Sequence, residues 1–149
     1  IHVGGATGLP NTNYDGKAQA GLGALEEDKF NFVFIHVEAT DEMGHAGDYK
    51  RKVKALEDFD EKIVRPFIGF EKKHPGQLTI AILPDHPTPC EHRTHTREPV
   101  PFAIYNPLKI EESKDTEKKF TETHGKKGAY GILSNGDAFM REFLDLNPR

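Results

Sequence analysis

Two short segments of this 149-residue chain concentrate side chains that can bind metals. The first is ATDEMGHAGD at 39–48, and the second is PDHPTPCEHRTH at 84–95. Imidazole nitrogens and carboxylate oxygens, without a framework of thiolates, are ligands for zinc, manganese or another first-row divalent ion. The best candidates are five aspartates and histidines: Asp41, His45, Asp85, His86 and His95. The residue types therefore predict a metal centre.

The number of candidate ligands bears on the number of metal ions. A catalytic zinc ion uses about three protein ligands, and the five candidates exceed that number. The surplus suggests two ions at one rim of the fold. Such a pair can clamp a phosphoryl oxygen while stabilising the attacking and the leaving oxygen of a displacement.

Each motif taken alone has a simpler explanation. Asp41 could be the N-cap of a turn, with His45 an exposed side chain. An Asp-His dipeptide such as the one at 85–86 is also common by chance. Their joint placement favours the metal interpretation, because both groups directly follow strand-like runs in one short chain.

Three further side chains have competing interpretations. Cys90, the single cysteine, could be an activated nucleophile or a soft ligand. No Gly-rich elbow stands behind it, so we expect a packed, inert thiol. His92 could ligate a metal, but either it or His95 could instead face solvent. His36 lies inside an apolar run, so we expect a core histidine, with a role behind the metal ligands as the lesser alternative.

The strands that position these segments are predicted from hydrophobic periodicity. Asn31 to Ala39 and Gln77 to Leu83 are nearly continuous apolar runs, typical of strands buried on both faces of a parallel sheet. A third short strand is predicted at Pro101 to Tyr105. Loops at the carboxyl ends of parallel strands carry function in open α/β sheets, and both candidate segments occupy that position.

Helices are predicted between and around these strands. Asp15 to Glu27 is an alanine-rich amphipathic segment, and Tyr49 to about Glu71 has apolar residues at helical spacing, with Pro66 as a candidate kink. Asn135 to Leu146 follows a Ser-Asn-Gly turn and is predicted as a last helix. The lysine- and glutamate-rich run from Glu111 to Lys119 is expected to be an exposed loop. This order of elements predicts an α/β protein with one domain.

Composition excludes several classes of protein. The balance of 20 basic against 24 acidic residues gives a net charge of -4, which disfavours a nucleic-acid partner. The longest apolar runs are far too short to span a bilayer, and no signal-peptide pattern occurs. We therefore expect a soluble, cytoplasmic protein with no membrane or nucleic-acid partner. The chain starts at Ile1 without a methionine, as a piece of something longer would.

The two central motifs together resemble a known family. VFIHVEATDEMGHAGDYKRKVKALEDFD followed by LPDHPTPCEHRTHTREPVPFAIY is similar to the C-terminal metal-binding part of the archaeal-type cofactor-independent phosphoglycerate mutases, members of the alkaline phosphatase superfamily. GATGLPNTNYDGKAQAGLGAL and GAYGILSNGDAFMREFL also resemble that family. The resemblance covers nearly the whole chain. It implies an alkaline-phosphatase-like three-layer α/β/α sandwich with a mostly parallel sheet, of which residues 1–149 are the C-terminal, metal-binding part of a catalytic domain.

The resemblance also implies how the ligands divide between two divalent ions, manganese or zinc. The implied sets are Asp41, His45 and His95 for one ion, and Asp85 and His86 for the other. His95 is selected because the family's third histidine comes shortly before a D/E-P-V-P turn, here Glu98-Pro99-Val100-Pro101. His92 has no role in that pattern.

The function implied by the resemblance belongs to a longer protein. Members of the family are isomerases of glycolysis that interconvert 3-phosphoglycerate and 2-phosphoglycerate through a phosphoserine intermediate. In the family, the nucleophile serine, one further metal-binding aspartate and an inserted substrate-binding domain come from segments that this chain does not contain. We therefore expect its partners to be a small phosphorylated metabolite and the remainder of the same polypeptide, and we expect the fragment alone to be inactive.

Three alternatives stay open. The first is a metal-dependent phosphatase or phosphotransferase of the same superfamily that acts on another small metabolite; such relatives have carried a homoserine kinase label. The second is a metal-binding module that performs no catalysis. The third is a structural domain whose histidines are surface residues.

Overall fold

The computed structural model describes residues 1–27, 30–109 and 119–145. The chain divides into two compact units, and the division falls within the second candidate segment. Unit 1 comprises Ile1–His74 and Thr88–Thr96, and unit 2 comprises Pro75–Pro87 and Arg97–Arg149. The assignment of the whole chain to one catalytic domain stays a prediction. The predicted loop from Glu111 to Lys119 lies, except for its last residue, outside the described residues.

Unit 1 is built from helices. They are α1 at Tyr14–Glu26, α2 at Ala39–Ala46, α3 at Tyr49–Phe59 and α4 at Arg65–Lys73, with a π-helical turn at Asp60–Val64. The helix predicted at Asp15 to Glu27 is confirmed as α1, shifted by one residue at each end. Asn13 caps it, because the Asn13 side chain accepts a hydrogen bond from the backbone N–H of Gly16 at 2.9 Å.

The long helix predicted from Tyr49 to about Glu71 is confirmed as a continuous helical run that ends at Lys73. The π turn at Asp60–Val64 lies within this run, and Pro66, the candidate kink, follows two residues after its end. Proline has no N–H to donate and its ring crowds the carbonyl four residues earlier, so a helix must adjust in the turn before a proline. The adjustment here is the wider π turn, in which the N–H of Arg65 donates to the carbonyl of Asp60.

Small residues allow the helices of unit 1 to pack closely. Ala18 and Ala24 on α1 are buried, as is Ala55 on α3. At Gly21 a β-carbon would lie 2.9 Å from Cδ1 of Ile35 and 3.0 Å from Cζ of Phe67, so the absence of a side chain allows this close approach of α1 to α4. The buried apolar side chains of unit 1 are Tyr14, Ala18, Ala24, Ala39, Met43, Ala55, Ile63, Val64 and Phe67.

The strand predicted at Asn31 to Ala39 is not formed in the described chain. Residues 32–38 have no regular secondary structure, and their side chains alternate between exposed and half-buried. Such alternation indicates one covered face. Val33 and Ile35 pack against α1 at Gly21, whereas Phe34 is 75% exposed. The expectation of burial on both faces was therefore wrong, and Ala39 instead begins α2.

Asp58, on α3, is a buried carboxylate held between two lysines. Lys62 lies 3.0 Å and Lys54 3.1 Å from its Oδ1 atom. The hydrogen bond from Lys62 lowers the pKa of Asp58, and the bond from Lys54 acts in the same direction. Because the folded-state pKa is depressed, the stabilisation is fully present above the unfolded value of about 3.9 and is lost as the pH falls through the folded-state value.

Replacing Asp58 by asparagine should lower the free energy of unfolding by about 1–2 kcal/mol at neutral pH, because the acceptor of the two lysine hydrogen bonds loses its negative charge. The difference between the variant and the unchanged chain should shrink as the pH falls below about 4. Urea unfolding at pH 7 and pH 3 measures both quantities. Asp60→Asn is the control, since that carboxylate is 66% exposed and its ion pair with Arg65 is weak. The prediction would be contradicted if Asp58→Asn lowered the free energy of unfolding by the same amount at pH 7 and pH 3.

The described residues of unit 2 form a two-stranded sheet and two helices. The strands are β1 at Ile80–Ile82 and β2 at Ala103–Tyr105, and the helices are α5 at Glu122–Gly125 and α6 at Gly136–Phe143. The strands predicted at Gln77 to Leu83 and Pro101 to Tyr105 are confirmed in position, although each is only three residues long. The short α5 was not predicted.

The pairing of β1 with β2 is antiparallel, with Ala81 opposite Ile104. The resemblance implies a mostly parallel sheet, and this pair is antiparallel. Parallel strands require a crossover, usually a helix, whereas the residues that link β1 to β2 form turns and irregular structure. The mostly parallel sheet and the three-layer sandwich are thus not confirmed within the described part of the chain.

The last predicted helix is confirmed as α6, and Asn135 caps it by accepting from the N–H of Ala138 at 2.8 Å. The predicted end at Leu146 lies outside the described residues. Aromatic rings connect α6 to the end of the sheet, since the rings of Phe102 and Phe139 meet edge to face at 5.4 Å. Among the described residues, no helix has the length and apolar content needed to cross a bilayer.

Candidate metal centre

The first candidate segment is a helix, which corrects the prediction of a loop. Residues 39–46 form α2, so the DxxxH spacing places Asp41 and His45 on one face, one turn apart. The Nε2 atom of His45 lies 3.4 Å from Oδ2 of Asp41. Asp41 is in the first turn of α2 and is not its N-cap, which is Glu38. The simpler explanation of this motif as a capped turn was therefore wrong.

Two residues end α2 and start the next helix. Gly47 has φ +70°, a left-handed conformation that favours glycine and ends helices. Asp48 then caps α3 by accepting from the N–H of Arg51 at 3.0 Å. The consecutive Gly-Asp pair thus ends one helix and begins the next, and it limits α2 to two turns.

His95 completes a group of three potential ligands. Its Nε2 atom lies 3.0 Å from Nε2 of His45 and 3.4 Å from Oδ1 of Asp41. The two histidines are 50 residues apart in the sequence, so this contact is made by the fold and not by local structure. The group brings together all three residues that the family resemblance implied for one ion.

The distances within this triad fit a divalent metal ion. Ligand atoms that bind zinc at about 2.0–2.2 Å in tetrahedral geometry stand about 3.3 Å from one another. The shortest contacts between the three side chains, 3.0 to 3.4 Å, are close to that value, although the two histidines approach different oxygens of Asp41. One ligand atom from each residue lies within 4.8 Å of the other two. Two imidazoles and one carboxylate are also a common donor set of catalytic sites with an open position. The side chains remain between 28% and 48% exposed, so the triad is accessible from solvent.

The backbone of the second segment fixes the orientation of the His45 ring. The Nδ1 atom of His45 lies 3.0 Å from the carbonyl oxygen of Arg93, where an Nδ1–H can donate and leave the Nε2 lone pair for a metal. Arg93 has φ +53°, a left-handed conformation that is uncommon for a residue with a side chain. The N–H of Arg93 donates to the carbonyl of Pro89 at 2.9 Å. This hydrogen bond closes the turn that places the carbonyl of Arg93 beside His45.

Asp85 and His86 belong to unit 2 and contact each other. His86 Nε2 lies 3.2 Å from Oδ2 of Asp85, and the backbone N–H of His86 donates to Oδ1 at 3.1 Å. The structure thus pairs the two residues predicted for a second ion. A second metal site built from them stays a prediction.

The other sequence candidates have different surroundings. His92 Nε2 lies 3.3 Å from Glu91 at the surface, and His92 is not one of the three converging ligands. Cys90 is half-buried with its Sγ atom 3.8 Å from the carbonyl of Met43, as expected for a packed thiol. The expectation that His36 is a core residue was wrong, because its side chain is 51% exposed and stacks on the ring of Phe34. A role for His36 behind the metal ligands stays a prediction.

Sequence reasoning did not single out Thr88. This threonine is buried, and its hydroxyl donates a hydrogen bond to Oδ1 of Asp41. The available signal was its position between Pro87 and Pro89, since two prolines restrict the backbone on both sides of one polar residue.

The triad has the ligand types of a metal site, and the comparison with known families points to the same class of protein. The chain belongs to the metalloenzyme superfamily, whose family model matches residues 1–137. Membership implies a divalent metal ion, and Asp41, His45 and His95 form a group of three potential ligands.

The relatives narrow this class. A 2,3-bisphosphoglycerate-independent phosphoglycerate mutase of Methanosarcina barkeri is 46% identical over 137 residues, which are 92% of this chain and 33% of the relative. Another so named, from Methanocaldococcus jannaschii, is 35% identical over 150 residues, covering 100% of this chain and 34% of the relative. The resemblance to archaeal-type mutases is thus confirmed. The chain spans about a third of the length of these curated relatives.

A solved structure agrees with the sequence relatives. The PH0037 protein from Pyrococcus horikoshii matches with a TM-score of 0.79 and 31% sequence identity. The match covers 100% of this chain and 43% of that protein. The fold of this chain therefore occurs as part of a larger structure.

Proposed function

We propose that this chain is the metal-binding part of a 2,3-bisphosphoglycerate-independent phosphoglycerate mutase. The observation that carries the proposal is the convergence of Asp41, His45 and His95 in a chain that matches mutases over most of its length. In the complete enzyme, these residues hold one divalent ion, manganese or zinc, while Asp85 and His86 contribute to a second. The complete enzyme has the three-layer α/β/α sandwich of the alkaline phosphatase superfamily.

The residues of this chain prepare the site for phosphoryl transfer. A divalent ion, when bound, neutralises charge on the phosphoryl oxygens and stabilises the attacking and leaving oxygens. His45 keeps its proton on Nδ1, against the carbonyl of Arg93, so that Nε2 is free of a proton. The carboxylate of Asp41 offsets part of the positive charge of an ion. The exposed side of the triad leaves room for a phosphate ester to approach.

The reaction needs groups from the remainder of the polypeptide. The substrate is a small phosphorylated metabolite, 3-phosphoglycerate or 2-phosphoglycerate, and a serine outside this chain accepts and returns the phosphoryl group. The relatives are about three times as long as the matched region, which leaves ample chain for that serine and for a substrate-binding domain. This chain alone is therefore expected to hold metal weakly and to turn over no substrate.

The test uses the longer polypeptide that contains this chain, assayed with 3-phosphoglycerate and Mn²⁺. Formation of 2-phosphoglycerate, and its loss in an Asp41→Asn variant, is the expected result. Release of inorganic phosphate without 2-phosphoglycerate would instead support a phosphatase of the same superfamily. Equal, near-zero metal content in the unchanged protein and the Asp41→Asn variant, together with no turnover, would instead support a structural domain.

A further inference from the structure

Thr88 is anchored against α2 and α3 although it lies in a loop. Its side chain is buried, with 5% of its surface exposed, while the neighbouring residues at 91–95 are exposed. Its backbone carbonyl accepts a hydrogen bond from Nζ of Lys52, on α3, at 2.5 Å. The same carbonyl faces Gly44 of α2, where a β-carbon would lie only 2.4 Å from the oxygen. Thr88 is therefore held close to the helix that carries Asp41 and His45.

The hydroxyl of Thr88 acts on one oxygen of the Asp41 carboxylate. It donates to Oδ1 of Asp41, while Oδ2 lies 3.4 Å from Nε2 of His45. A carboxylate on a helix surface otherwise turns easily about its last side-chain bond, because that torsion has a broad preference. The hydrogen bond restricts this rotation, and it keeps the two oxygens in different surroundings.

We propose that Thr88 is a positioning residue that holds the Asp41 carboxylate in the orientation needed to bind a metal ion. This inference rests on the proposed function, in which Asp41 is a ligand. The partners of metal ligands commonly contribute to affinity by fixing ligand orientation, and their loss costs about 10–100-fold. Thr88 does for Asp41 what the carbonyl of Arg93 does for His45. The same stretch of chain, 88–93, therefore orients two of the three ligands.

The test measures Mn²⁺ affinity of the 149-residue chain by calorimetry, for variants that separate the hydroxyl from the shape of the side chain. Thr88→Val keeps the shape and removes the donor, and it should weaken Mn²⁺ binding about 10–100-fold. Thr88→Ser keeps the donor and should stay within about threefold of the unchanged chain. Thr94→Val is the matched control, because Thr94 is exposed in the same loop. Thr94→Val should leave the Mn²⁺ affinity unchanged.

Unfolding by urea without metal is recorded for each variant, so that a loss of fold is distinguished from a loss of affinity. If Thr88→Val does not fold, Thr88→Ala replaces it, since alanine removes the donor without adding volume. A Thr88 variant that folds, lacks the hydroxyl and binds Mn²⁺ like the unchanged chain overturns the inference, provided that Asp41→Asn loses binding. If Asp41→Asn itself binds normally, the proposed metal centre fails and the inference fails with it.

Discussion

Replacing His95 by alanine should weaken Mn²⁺ binding by more than about 100-fold, because a direct ligand contributes more than the residues that orient ligands. His95 is the member of the triad that comes from a distant part of the sequence, and its Nε2 lies within 3.4 Å of both other ligands. Its side chain is 48% exposed, so the substitution should leave the metal-free fold intact. Calorimetric titration of the chain with Mn²⁺ measures the effect.

His92→Ala is the control for this prediction, because His92 lies in the same loop and its side chain is 56% exposed beside Glu91. The Mn²⁺ affinity of the His92→Ala variant should equal that of the unchanged chain. Binding also has a second readout: at a Mn²⁺ concentration 100 times the dissociation constant, unfolding should cost about 2.7 kcal/mol more in the unchanged chain. The His95→Ala variant should lack most of this gain. Equal losses in the two histidine variants would mean that the triad is not the binding site.

Replacing Gly44 by alanine should affect both stability and metal binding. A β-carbon at Gly44 would lie 2.4 Å from the backbone oxygen of Thr88 and 2.8 Å from its methyl group. The backbone cannot move aside as a flexible side chain would, so the loop must shift away from α2. We expect the free energy of unfolding to fall by about 2 kcal/mol, after allowance for the helix preference of alanine. Mn²⁺ affinity should fall about 10–100-fold, because Asp41 loses its orientation.

Gly23→Ala provides the comparison, since a β-carbon at that position of α1 would meet nothing within 4 Å. There alanine should raise the free energy of unfolding by up to about 1 kcal/mol through helix preference alone. Urea unfolding and Mn²⁺ titration of both variants separate the two effects. If Gly44→Ala behaved like Gly23→Ala, the close approach of the loop to α2 would be disproved.

The sequence predicted helices better than strands for a physical reason. α1 and the run from α3 to α4 carry their own periodicity and caps, so local pattern is enough to place them. α2 is only eight residues long and directly follows an apolar run, so its helical character depends on packing. Ala39, Met43 and Gly44 are its buried residues, and they were assigned to a strand end and a loop.

Residue type and motif were enough to find the candidate metal ligands, but not the groups that orient those ligands. Asp41, His45 and His95 have side chains whose chemistry is visible in the sequence. Every residue has a backbone carbonyl, so the sequence does not reveal that the carbonyl of Arg93 contacts His45. That contact depends on the left-handed conformation of Arg93, which is not a glycine. Thr88 is similar, because a hydroxyl becomes informative only when burial and a partner are known.

The 50-residue separation of His45 and His95 gives a bound ion a second consequence. Asp41 and His45 are held together by one helical turn, so half of the site exists wherever α2 forms. His95, the third ligand, joins them only when the intervening chain closes into a long loop, which costs conformational entropy. An ion that bridges the two halves acts as a reversible cross-link. Removing the ion with a chelator should therefore lower the free energy needed to open the exposed 91–95 stretch, while Thr88 and the helices of unit 1 stay in place.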